Sequence, residues 1–106
     1  MPGPIDVTRE AVQAGLEDGS LVLVDVREAH EFASGHIPGS VSMPLSSFDP
    51  DALDVFAGQR VVFSCAAGVR SLHALNAARA AGRDLSEHYR GGFRDWLMAG
   101  MPVAQG

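Results

Sequence analysis

The 106-residue sequence predicts one α/β domain over residues 1–106, with a mainly parallel sheet and helices on both faces. Two runs, 21–26 (LVLVDV) and 60–64 (RVVFS), are almost continuously apolar in their interiors, the mark of strands buried on both faces. Segments of helical character alternate with them along the chain. A parallel sheet with crossover helices is the simplest fold that satisfies both features.

Taken in order, residues 5–19 read as a short strand followed by a helix. Thr8 is its N-cap, and Val12, Gly15 and Leu16 lie on its inner side. The run 21–26 is a buried strand that leaves into polar DVRE. Residues 28–34 form a short helix closed by Gly35, and HIPGS turns the chain through Pro38 and Gly39. VSMP reads as another short strand and 45–57 as a loop with one or two helical turns. After the second buried strand, 69–81 is a helix whose His73, Asn76 and Arg79, continued by Arg83, make one polar stripe; Gly82 supplies its cap. SEHYR is a short final strand, and GFRDWLMAG a last helix stopped by Gly100 and Pro102.

Composition narrows the function. Hydrophobic residues make up 46% of the chain, enough for one core, and no apolar run is long enough to cross a bilayer. With no secretory apolar segment either, a soluble cytoplasmic protein is expected. The net charge of −5, from eight arginines and no lysine against 13 acids, offers no basic stripe for nucleic acid. One cysteine and four scattered histidines show no metal-ligand spacing, so neither a metal nor another cofactor is expected.

Ligands of such sheets bind beyond the carboxyl ends of the strands. The exits DVRE and SCAAGVRS should therefore open on one edge. A lone cysteine beside a strand is more often an inert small hydrophobe than a nucleophile. Cys65, however, is followed by Ala66, Ala67, Gly68, Val69 and Arg70 and then by a helix. Gly68 gives the loop the freedom to reverse, so that successive N–H groups point inward as an anion nest at a helix N-terminus. A sulfur there is stabilised as thiolate, with a pKa below the free value of about 8.5. Arg70 either places a cation at the rim or braces the loop carbonyls from within.

CAAGVRS resembles the C-x-x-G-x-R-S loop of the rhodanese-like (thiosulfate sulfurtransferase) domains. LVLVDVREAHEFASGHIPGSVSMPL is similar to their N-terminal signature, and YRGGFRDWLMAGMPV to their C-terminal one. The three stretches follow in family order and spacing. The resemblance implies a sheet of about five parallel strands and a single-domain sulfurtransferase. Cys65 would take a sulfur from thiosulfate or a persulfide donor, hold it as a persulfide among residues 66–70, and pass it to a thiol or cyanide. Two displacements in sequence predict ping-pong kinetics. The partners implied are a small anionic sulfur donor (thiosulfate, a persulfide or a polysulfide), a thiol or cyanide acceptor, and a sulfur-relay protein as a further candidate, with the chain as a monomer. Ala66 and Ala67 are neutral where many thiosulfate users carry a polar or basic side chain, which leaves room for a persulfide or polysulfide donor.

Asp25, Arg27, Ser71 and His36 are supporting candidates. We read Arg27 as pairing with Glu31, four positions on, the alternative being contact with an anion. His36 in GHIPG braces a turn rather than acting as a base. Phe93 and Trp96 anchor the last helix, and Gly91–Gly92 make a tight turn near the site. Met43, Leu45 and Phe48 either line an apolar wall beside the sulfur or pack in the core. His30, His73 and His88 are expected to face solvent. Two other functions fit the fold: a non-catalytic sulfur- or anion-binding regulatory module, and a phosphatase or arsenate reductase. The latter's loop is C-x5-R; the C-x4-R of Cys65–Arg70 is a tighter ring, suited to one sulfur atom.

Overall fold

A computed structural model of the chain describes residues 3–106. Five parallel strands stand in the order β1-β5-β4-β2-β3, comprising β1 (Ile5–Asp6), β2 (Leu21–Asp25), β3 (Val41–Ser42), β4 (Arg60–Ser64) and β5 (Glu87–Tyr89). The helices are α1 (Arg9–Asp18), α2 (Ala29–Ser34), α3 (Val69–Ala80) and α4 (Gly92–Met98), with 3-10 turns at Leu45–Ser47 and Pro50–Phe56. The sheet is parallel throughout, so the expected architecture stands with no antiparallel strand in it.

The two apolar runs are the central pair, β2 and β4, whose Leu23, Val24, Val62 and Phe63 are fully buried. Two clusters cover the sheet. One joins Phe63, Cys65, Ala74, Leu75 and Ala78, with half-buried Met43, Leu45 and Phe48 packed on it. The other joins Val12, Leu23, Val62, Tyr89 and Trp96. Alanines on α3 and Gly15 on α1 bring helix backbones close to the sheet; a Cβ on Gly15 would strike the Leu21 side chain.

Thr8 caps α1 by accepting the Ala11 N–H at 3.1 Å. Glu28 and Glu31 form a reciprocal capping box at α2. The register sets Asp25, Ser64 and Tyr89 level across β2, β4 and β5, so the loops that follow all emerge on one edge.

Candidate functional site

The strand β4 delivers Cys65 to that edge, and α3 begins four residues later at Val69. Between them the chain reverses through Gly68, whose φ of +93° belongs to the left-handed region. Its N–H lies 3.1 Å from the Cys65 sulfur. Cys65 is only 1% exposed, which places Sγ on the floor of the loop. Burial pushes the thiol up. The Ser71 N–H and hydroxyl and the Ala67 and Gly68 N–H groups outweigh it, and the net shift is downward. Among the described residues the hydrogen bond that reaches Sγ is that of the Gly68 N–H, within the stretch 66–70.

The loop is held from outside by the turn after β5. The Cys65 and Ala66 carbonyls accept the N–H groups of Phe93 and Arg94 at 2.8 and 3.0 Å. Gly92, at φ +64°, allows this approach, since a Cβ there would overlap the Cys65 oxygen and lie 2.6 Å from the Ala66 oxygen. Gly91–Gly92 is thus the close turn that the sequence placed near the site.

Arg27 corrects its sequence reading. It does not pair with the Glu31 carboxylate but grips Asp25, with Nε and Nη2 donating at 3.0–3.2 Å. Nη2 also donates to the Gly35 carbonyl at 2.7 Å, and the guanidinium lies 4.4 Å from the Phe93 ring centroid. Both side chains are about 5% exposed (5% and 4%). A buried guanidinium needs an equally buried carboxylate, and Asp25, at the end of β2, is that group. The pair ties the β2 exit to the α2 turn and to α4.

Glu31 instead receives Arg70 in a two-pronged pair at 2.5 and 3.1 Å. The Arg70 hydrogen bond holds the Glu31 carboxyl down at about 2, against the opposing effect of partial burial. Arg70 is therefore a rim cation already matched by an acid, and neither side of it braces the loop carbonyls as one reading of the sequence had it. His36 does brace its turn: Nδ1 meets the Phe32 carbonyl at 2.8 Å, the ring stacks on Phe32, and its backbone pairs with Ala104.

His88 is the second correction. It is 5% exposed rather than solvent-facing, because β5 lies between β1 and β4 with α3 packed against it. Its Nδ1 sits 2.9 Å from the Ser71 hydroxyl. Glu31 and His88 are the residues that sequence reasoning missed. Nothing local links Glu31 to Arg70, 39 positions away. His88 carried a signal, since a polar residue in the middle of an interior parallel strand is covered on both faces.

The sequence model of the Rhodanese-like domain matches residues 8–99. The chain belongs to the rhodanese-like family. It is 34% identical to an uncharacterised protein of Synechocystis over 95% of its length, and spans 56% of that relative. It is 31% identical to the human thiosulfate:glutathione sulfurtransferase, covering 92% of this chain and 96% of that one. The solved human single-domain sulfurtransferase TSTD1 superposes with a TM-score of 0.71 at 30% identity, covering 91% of this chain and 97% of that one. This rhodanese-like chain thus keeps the family fold around a cysteine loop, with sulfurtransferases among its relatives.

Proposed function

We propose that the protein is a sulfurtransferase that carries one sulfane sulfur as a persulfide on Cys65. The observation that supports this best is the loop itself, which reverses through Gly68 around a single buried sulfur and gives it the Gly68 N–H. The thiolate attacks the outer sulfur of the donor. A new S–S bond forms at Sγ as the donor's own sulfur–sulfur bond breaks, and with thiosulfate the departing electron pair leaves on sulfite. The terminal persulfide sulfur is stabilised by the loop N–H groups. An acceptor thiolate or cyanide then attacks that sulfur, and the electron pair of the breaking bond returns to Cys65. The cycle balances without an external oxidant or a cofactor.

The substrates are small: an anionic sulfur donor and a thiol or cyanide acceptor, handled by a monomer. Ala66 and Ala67 carry no charge and Arg70 is matched by Glu31, so a persulfide or polysulfide donor suits the loop at least as well as thiosulfate. The human relative's name, thiosulfate:glutathione sulfurtransferase, supports a small thiol as acceptor. Mass spectrometry after treatment with thiosulfate, or with glutathione persulfide, tests the reading. One added sulfur atom is expected, removed by cyanide and absent in Cys65→Ser. Absence of the adduct with both donors, or efficient hydrolysis of an aryl phosphate in its place, overturns it.

A further inference from the structure

A cleft of about 460 Å³ opens beside the cysteine loop, between the ends of β1 and β5 and the start of α3. Gly68, whose N–H reaches Sγ at 3.1 Å, forms part of its wall, so the cleft begins one residue from the sulfur. Thiosulfate or cyanide would leave most of it unfilled. Its size falls within the ordinary range for a small organic ligand, about 300–1,000 Å³.

Val69 and Leu72 give the cleft an apolar side, and Asp6, His73, His88 and Arg90 give it polar groups. The Arg90 stem packs on the loop, since a Cβ on Gly68 would lie 3.0 Å from Arg90 Cγ. Its guanidinium makes no hydrogen bond or ion pair among the described residues. The Arg90 backbone N–H donates to Asp6 Oδ1 at 3.0 Å, yet the two charged side chains do not pair. A positive and a negative group thus border one cleft, neither neutralised by contact with the other.

His88 adds an observation that points to a ligand. It is 5% exposed, at a place where an interior parallel strand ordinarily carries an apolar residue. Its Nδ1 is held at 2.9 Å by the fully buried Ser71 hydroxyl. Its Nε2 has no partner among the described residues and is not sealed inside the core, so it is the ring nitrogen presented to the cleft. Burial lowers the imidazole pKa, with Asp6 opposing and Arg90 adding to the shift, and the ring is uncharged at neutral pH. A neutral Nε2 can donate to a carboxylate or accept from an ammonium, according to its tautomer.

We propose that this cleft seats the sulfur acceptor, a thiol with an α-amino-acid head group whose carboxylate meets Arg90 and whose ammonium meets Asp6. His88 Nε2 hydrogen-bonds the head group, and Val69 and Leu72 cover the carbon chain. In the transfer, the acceptor thiolate bonds to the outer persulfide sulfur, the bond from that sulfur to Cys65 Sγ breaks, and its electron pair stays on Sγ. One thiolate and one persulfide are consumed and one of each is formed.

The acceptor role rests on the persulfide reading, but occupancy of the cleft does not, so one arm of the test needs no transfer. S-methylcysteine, which cannot accept sulfur, should bind and shift the ring NMR signals of His73 and His88 in the wild type and in Cys65→Ser. Arg90→Gln should weaken that binding about fivefold. In sulfur transfer, Arg90→Gln should lower the preference for cysteine over cysteamine, as a ratio of kcat/KM, by about fivefold. Asp6→Asn, which keeps an oxygen for the Arg90 N–H, should lower the preference for cysteine over 3-mercaptopropionate by about threefold. Arg94→Gln removes a similar charge that does not line the cleft, and should move neither ratio as far. Histidine signals that ignore S-methylcysteine, ratios that Arg90→Gln leaves in place, or equal changes in Arg94→Gln overturn the proposal. S-methylcysteine bound to a protein that forms no persulfide would support the cleft as a site and refute the persulfide alone.

Discussion

Replacing Gly92 with alanine should damage the cysteine loop more than the fold at large. The backbone there has φ +64°, and the added Cβ would run into the Cys65 and Ala66 carbonyl oxygens. Left-handed geometry costs a residue with a Cβ about 1–2 kcal/mol. Relieving the overlap also means moving the two carbonyls that accept from Phe93 and Arg94 at 2.8 and 3.0 Å, each bond worth about 1 kcal/mol. A loss of about 3–4 kcal/mol follows, a large share of a stability that is ordinarily about 5–15 kcal/mol. Gly58→Ala is the control, because Gly58 has φ +80° but nothing within 4 Å of its Cβ position. It should cost only the backbone strain, about 1–2 kcal/mol. Urea unfolding measures both losses, and iodoacetamide kinetics report Cys65. Slower alkylation is expected for Gly92→Ala alone. Equal losses of stability in the two variants would refute the claim that the β5–α4 turn clamps the loop.

Arg27→Leu should destabilise the protein by about 3–5 kcal/mol, since it leaves the buried Asp25 carboxylate without its partner. Urea unfolding checks this, and the double variant Asp25→Leu/Arg27→Leu should recover part of the loss; a single variant within about 1 kcal/mol of wild type contradicts the pairing's role. Acid should also loosen the rim. Glu31 titrates at about 2 in the folded chain against an ordinary 4.5, so its contribution is complete above 4.5 and fades as pH falls toward 2. Over that window the urea midpoint should fall more steeply for the wild type than for Arg70→Gln, and parallel slopes would count against the pair.

The fold was legible because its evidence is local. The runs 21–26 and 60–64 could bury themselves only as central strands, and Thr8, Gly35 and Gly82 mark helix ends by backbone chemistry alone. The cysteine loop was legible for the same reason: strand, Cys65, Gly68 and helix occur in one short stretch. What the sequence hid depends on side chains meeting across the fold. Arg27 had a carboxylate four positions ahead and another two behind, and only the burial of the β2 exit decides for Asp25. Once Arg27 is occupied, Glu31 is free to meet Arg70. His88 looked like a surface residue because SEHYR is polar; its burial follows from the strand order, which no short window of sequence contains.

These pairings bear on how an acidic chain can hold a negative sulfur. Arg27 and Arg70 both approach the site, yet each is matched by a carboxylate, so neither brings a free charge to the floor of the loop. The sulfur is left with the Gly68 N–H, and the hydrogen-bonding groups of Ser71, Ala67 and Gly68 lower its pKa against the effect of burial. Dipoles fixed in a buried loop stabilise an anion at short range and lose their effect quickly with distance, whereas a free cation would attract any anion in solution. Arg90 and Arg94, whose guanidinium groups have no ion pair among the described residues, lie on the segment that clamps the loop. On the proposed persulfide reading, the charge that draws an anion inward is separated from the dipoles that hold it. On that same proposed reading, the division lets Ala66 and Ala67 be neutral without leaving the sulfur unsupported, and it makes fit to a one-atom nest, more than charge, the basis on which the loop selects.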